Sequence, residues 1–148
     1  MGMIDVTDKP IVGRMAEASG KIFLSSITIE EIKGGKIKKG DPLQVAEVAA
    51  MNAAKQTHLL IPHCHQIPLD MVQVKFKVNN DSVDVNCIVK AQARTGVEME
   101  ALVGVSTALN TIWDMVKYLE KDSKGQYPDT RITDIRVLVK KKESMGTP

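Results

Sequence analysis

Between Glu98 and Lys121 the apolar residues Leu102, Val105, Leu109, Ile112, Val116 and Leu119 return every three or four positions, the period of a helix with one buried stripe. A helix of that length cannot cover its own stripe, so the rest of the chain must supply an apolar surface for it. Two neighbouring segments have the period to do so. Val72, Val74, Phe76 and Val78 alternate with Gln73, Lys75 and Lys77, and Val83, Val85, Cys87 and Val89 repeat the alternation after a turn at Asn79, Asn80 and Asp81. This pattern predicts a β-hairpin with one face in the core.

The remaining segments complete the architecture. Lys21 to Ile29 (KIFLSSITI) is apolar and β-branched enough for a strand, after which Thr28, Glu30 and Glu31 suit a short helical turn ended at Gly34 and Gly35. Asp41, Pro42 and Gln44 supply an N-cap, a first-turn proline and a capping-box partner in the required order, predicting a helix to about Thr57. Its small residues Ala46, Ala49, Ala50, Ala53 and Ala54 let another backbone approach closely. Leu59 to Leu69 holds Pro62 and Pro68, each of which removes a donor and disfavours helix before it, so this stretch is an ordered loop. Arg131 to Lys142 reads as a last strand. The order strand, helix, strand, strand, helix, strand predicts an α+β fold of the ferredoxin-like split βαβ type, an antiparallel sheet with helices packed on one face. A single domain over 1–148 is expected, with an irregular N-terminal arm about 1–20 and a short C-terminal tail about 143–148.

Composition narrows the partners. A formal charge of +2 on 148 residues, with only two Phe, two Tyr and one Trp, gives neither the basic field nor the stacking platform of a nucleic-acid binder. Two cysteines, Cys64 and Cys87, are too few for a disulfide framework. No apolar run reaches the ~18 residues needed to span a bilayer, and no signal peptide or myristoylation signal opens the chain. The expectation is a soluble cytoplasmic protein that contacts neither nucleic acid nor membrane.

Several residues have chemistry to offer. On a helical wheel Glu100, Asp114 and Lys117 fall opposite the Leu102 to Leu119 stripe. A solvated face would look the same, but Met99, Val103 and Trp113 share or border that side, which predicts that another subunit covers it. A carboxylate and an ammonium in a covered cleft can serve acid and base chemistry. His63, Cys64 and His65 form a partial zinc set without a convincing fourth ligand or a usual spacing. Between two prolines, His65 is better suited to donate to a phosphate or a purine-like edge. Lys38, Lys39 and Gly40 precede a helix cap, where an anion is favoured, and Arg14, Lys55 and Lys140 are further cations near irregular ends. The residues alone point to a phosphorylated substrate and leave an enzyme, a small-molecule-binding regulatory domain of the same fold and a metal-storage or sensing module all open.

The strings MIDVTDKPIVGRMAEASGKIFL, KKGDPLQVAEVAAMNAAKQTHLLIPHCHQIPL, TGVEMEAL and WDMVK resemble, in order and spacing, the molybdenum cofactor biosynthesis protein C family, also called the cyclic pyranopterin monophosphate synthase family. The likeness covers nearly the whole chain, and its most specific parts are the LIPxCH loop, GVEMEAL and the DMxK pair. It implies a lyase that converts 3′,8-cyclo-7,8-dihydroguanosine triphosphate to cyclic pyranopterin monophosphate with release of diphosphate. By the same resemblance Asp114 and Lys117 are the catalytic pair, and Lys39 is a further lysine for catalysis or phosphate contact. His63, Cys64 and His65 form the substrate loop, Met99 and Glu100 a second substrate segment, and Glu98, Arg14 and Lys140 polar neighbours of the pocket. The family implies a hexamer, a trimer of dimers with active sites at the dimer interfaces. No resident cofactor or metal is expected, although magnesium can accompany the triphosphate. Lys117 starts from a reference pKa of about 10.4, so service as a base at neutral pH requires burial or cationic neighbours. Two departures stand out: Gln66 follows His65 where the family continues with proline, and KKKESMGTP replaces a glycine-rich tail.

Overall fold

The computed structural model describes residues 1–143. Four strands and four helices follow in the order β1 (Val12–Phe23), α1 (Ser26–Lys33), α2 (Pro42–Lys55), α3 (Thr57–Leu60), β2 (Met71–Val78), β3 (Ser82–Ala93), α4 (Glu98–Glu120) and β4 (Arg131–Glu143). The sheet has the order β2-β3-β1-β4 with every neighbouring pair antiparallel. The helices pack on one face of it, as the split βαβ reading requires.

The hairpin forms where the alternation places it, with Asn79 N–H donating to the Ser82 carbonyl at 2.8 Å. Asp41 caps α2, its Oδ1 accepting from Leu43 N–H at 2.9 Å and Gln44 N–H at 3.4 Å. Between sheet and helices lies a core of small and β-branched residues. Ala16, Ala18 and Ile22 of β1, Val83, Val85, Cys87 and Val89 of β3, Ala46 and Ala50 of α2, and Ala101, Val105, Ala108, Leu109, Ile112 and Val116 of α4 are all fully buried. Burial pushes the Cys87 thiol up to about 12, so it acts as a small apolar group. Gly104 lets α4 approach β3 closely: a Cβ there would stand 2.8 Å from Cys87 Sγ.

Four expectations need correction. The loop expected from Leu59 begins at Ile61, because Leu59 and Leu60 close the short helix α3, Ile61 N–H donating to the Thr57 carbonyl at 2.9 Å. The irregular arm does not extend to residue 20, because β1 begins at Val12 and alternates buried with half-buried residues to Phe23. Its sequence VGRMAEASG lacks the large β-branched residues that mark a strand, for a packing reason. A Cβ at Gly20 would come within 2.9 Å of side-chain atoms of Leu109 and Val105, so small residues are what this strand needs under α4. Nor is KIFLSSITI one strand. Ser25 caps α1, its Oγ accepting from Thr28 N–H at 3.4 Å, and the buried Glu120 carboxylate accepts from Ser25 N–H at 3.1 Å, Ser25 Oγ at 2.8 Å and Thr130 Oγ1 at 2.7 Å, and also from Thr28 Oγ1. That carboxylate ties the start of α1 to the end of α4 and stops the strand. Lastly, Leu102 and Leu119 are only partly buried, whereas Ala101 and Ala108 are wholly so, because α4 packs against α2 as well as the sheet. The expected tail at 143–148 lies, from residue 144 on, outside the described residues, and Glu143 still belongs to β4.

Candidate active site

Each end of α4 carries one group of the residues singled out above. At its N-terminal end, the loop after α3 is held to the core by Ile67 and Leu69, whose side chains pack against it. This fixes His63, Cys64 and His65 opposite Glu98, Met99 and Glu100. Together with Ile4, Val6, Lys9, Ile67, Thr95 and Gly96 they line a cavity of about 300 Å³. His65 Nε2 is 2.7 Å from the Ile4 carbonyl oxygen, so in this arrangement that nitrogen carries the proton and holds the N-terminal segment against the loop. Lys140 reaches in from β4 and donates to Glu98 Oε1 at 3.2 Å. A Cβ on Gly96 would overlap both the Glu98 carboxylate and Lys140 Cε, so glycine is what lets that pair form. Among the described residues Glu98 Oε2 is buried without a hydrogen-bond partner, an acceptor that a ligand N–H can satisfy.

The electrostatics of this cavity are those of a dry acid. Glu100 is only 4% exposed, which corrects the wheel that set it on the outer face with Asp114. Burial pushes its carboxyl above the usual range, and the neighbouring Glu98 charge adds to the effect. The Cys64 thiol is also raised, first by burial and then by Glu100 and Glu98, so it is no activated nucleophile. Among the described residues no cluster of three or more His, Cys, Asp or Glu converges as a metal site would.

At the C-terminal end, Asp114 and Lys117 stand one turn apart and pair, Lys117 Nζ lying 3.1 Å from Asp114 Oδ1. Lys39, from the loop between α1 and α2, joins them: its Nζ donates to the Asp114 carbonyl at 3.0 Å and lies 3.4 Å from Oδ2. The two lysines hold the Asp114 carboxyl below its ordinary value, Lys117 foremost by hydrogen bond and then Lys39. Here the side chains are open, with 61% of that of Asp114 exposed. Two ammoniums around one carboxylate leave net positive charge, which suits a phosphate-bearing ligand.

Arg14 stands apart from both groups. It belongs to β1, its Nε donating to the Ala93 carbonyl of β3 at 3.3 Å, and Nη2 is buried with no partner among the described residues. It lines a separate depression with Met15, Asp70, Lys90, Gln92, Lys141 and Glu143 rather than the His65 cavity. Lys9 lines that cavity and was not singled out in the sequence, although it lies in MIDVTDKPIVGR. A lysine before a proline in an irregular arm carries no periodic signal, and only the folding of the arm over the cavity reveals it.

Sequence comparison supplies the context for these two groups. Residues 3–143 match the model of the MoaC family. A protein of Thermococcus kodakarensis, named "Probable cyclic pyranopterin monophosphate synthase", is 54% identical over 140 residues, covering 95% of this chain and 90% of that protein. A Methanococcoides burtonii protein of the same name is 52% identical over 143 residues, covering 97% and 90%. One from Methanothermobacter thermautotrophicus, 50% identical over 95% of this chain and 88% of its own length, is named "Probable cyclic pyranopterin monophosphate synthase accessory protein".

Proposed function

This chain belongs to the MoaC family, and from that membership together with the geometry of α4 we propose that it is a cyclic pyranopterin monophosphate synthase of molybdenum cofactor biosynthesis. Its reaction is the conversion of 3′,8-cyclo-7,8-dihydroguanosine triphosphate to the cyclic monophosphate with release of diphosphate. The observation that carries the reading is the preassembled Lys39, Asp114 and Lys117 group, standing on the match of residues 3–143.

Closing a cyclic phosphate on a triphosphate means that an internal hydroxyl oxygen bonds to the α-phosphorus while the bond from that phosphorus to the diphosphate breaks. The hydroxyl proton needs an acceptor and the diphosphate needs cations. Asp114, kept ionised by its two lysines, is the acceptor, and the Lys39 and Lys117 ammoniums turn from Asp114 to the departing oxygens. The His65 cavity serves the ring system. Glu98 Oε2 is open to accept from a base N–H, Glu100 stands ready with a carboxyl whose proton is favoured by burial, and Met99, Cys64 and Ile67 line the apolar wall. Lys9 and Lys140 add charge at the rim. No resident cofactor is used, and any magnesium arrives with the triphosphate.

The assembly is part of the proposal. Glu100 and Asp114 are fourteen positions apart, roughly 21 Å along the helix, a separation that favours sites shared between two copies. In that arrangement a second copy brings its Lys39, Asp114 and Lys117 group to the first copy's His65 cavity, as expected of active sites at the dimer interfaces of a hexamer. Among the described residues no helix is long and apolar enough to cross a membrane, and a cytoplasmic enzyme without a nucleic-acid partner is part of the proposal. Incubating the protein with the cyclised GTP derivative and assaying by mass spectrometry for the cyclic monophosphate and diphosphate tests the activity. Persistent absence of both products across a range of pH and magnesium concentration would overturn it. The accessory-protein name carried by one relative favours a binding role as the second reading, and such a protein would hold the substrate without forming product.

A further inference from the structure

Lys39 lies on a short loop, and what fixes that loop decides where its ammonium points. Lys36 N–H donates to the Glu31 carbonyl at 2.9 Å and Gly40 N–H to the Ile37 carbonyl at 3.1 Å, bonds that tie the loop to α1 and to itself. Gly40 turns it with φ 113°, a backbone state that favours glycine. Its attachments toward α4 are different in kind. Ile37 is buried in the core, and Lys38 N–H donates to the Tyr118 hydroxyl at 2.9 Å. Lys38 Nζ also lies over the Tyr118 ring, 5.3 Å from its centroid. Tyr118 follows Asp114 by four residues on α4, so it shares a face with the carboxylate that Lys39 contacts.

We propose that Tyr118 is a positioning residue for Lys39: its hydroxyl holds the Ile37–Lys38 peptide, one residue before Lys39, and its ring parks the Lys38 ammonium so that of the two lysines Lys39 is aimed at Asp114. The assignment rests on the reading that Lys39 serves the reaction. A lysine has four rotatable side-chain bonds, so its ammonium is placed only as well as its backbone. An anchored amide one residue away restricts that backbone, whereas bonds confined to α1 would let the loop move as a unit relative to α4. Misplacement of a catalytic group by about 1 Å costs up to about 10² in rate.

The test uses Tyr118→Phe in the full-length protein, since it keeps the ring and removes only the acceptor. Hydrogen exchange measured by mass spectrometry on the peptide spanning Lys36 to Asp41 should speed up, while α1 and α4 peptides exchange as in the parent. With the cyclised GTP derivative, kcat should fall on the order of tenfold with KM nearly unchanged and the melting temperature unmoved. Tyr118→Leu, which also removes the ring, should fall further. Unchanged exchange of the loop, or a kcat within twofold of the parent, overturns the assignment, as does a loss that appears wholly in KM or tracks a drop in melting temperature. If the parent itself forms no product, the proposed activity fails while the exchange result still decides whether Tyr118 anchors the loop.

Discussion

The two ends of α4 carry acidic residues of opposite character. At the N-terminal end Glu100 is 4% exposed and its carboxyl is raised by burial. At the C-terminal end the Asp114 side chain is 61% exposed and its carboxyl is lowered by two lysines. The first sits in a cavity walled by its own chain, the second on an open surface. One chain thus encloses a cavity at one end of α4 and leaves its charged group uncovered at the other. Electrostatic groups gain strength when water is excluded, which in the proposed assembly a second copy would do for Asp114.

The largest effect should come from the open end. Asp114→Asn or Lys117→Ala is expected to lower turnover about 10³-fold while leaving the urea unfolding midpoint nearly unchanged, because an exposed ion pair contributes little to stability. Retained turnover in both variants would remove the open group from the chemistry.

Sharing between copies can be tested without a structure of the assembly. Asp114→Asn and His65→Ala proteins, each nearly inactive, should regain activity when unfolded and refolded together. In a random two-fold mixture, half the dimers are mixed and each has one intact site, giving about a quarter of parental activity. No recovery in refolded mixtures that mass measurement shows to be mixed would mean that both groups act within one chain.

Smaller effects should follow at the closed end. Gly96→Ala pushes the Glu98 carboxylate away from Lys140, so KM should rise several-fold with less change in kcat, as steady-state kinetics would show. Glu100→Gln should lower turnover and also alter the pH dependence of stability. The folded carboxyl is raised above its ordinary value of 4.5, so the folded chain binds this proton more tightly than the unfolded one. The parent's stability is therefore full below that value and declines as pH rises through the raised one. The variant should gain on the parent between pH 4 and pH 7 in urea unfolding. A stability difference that is the same at both pH values would contradict a raised Glu100.

The periodic elements were legible because period reports which face is buried. The hairpin of Val72 to Val89 and the long helix from Glu98 were readable on that basis, as was the Asp41 cap, whose hydrogen bonds are local. β1 was misread because the middle of its buried face is Ala16, Ala18 and Gly20, and at Gly20 the close approach of Leu109 and Val105 rather than strand propensity sets the residue. The wheel also failed at Glu100, since a wheel assumes one buried face and α4 has two. Asp114 and Lys117 were readable as a pair from their spacing, yet Lys39 joins them across 75 residues of chain.

What the sequence determined by itself is the local part: which segments form helix or strand, where α2 begins, and which family the motifs resemble, because these depend on residues within a turn or two of one another. Only the tertiary structure decided that Glu100 is dry and Asp114 wet, that Lys9 lines the cavity, and that Lys39 reaches Asp114. Burial and charge pairing depend on what folds over a residue from elsewhere in the chain, and that is set by packing between elements.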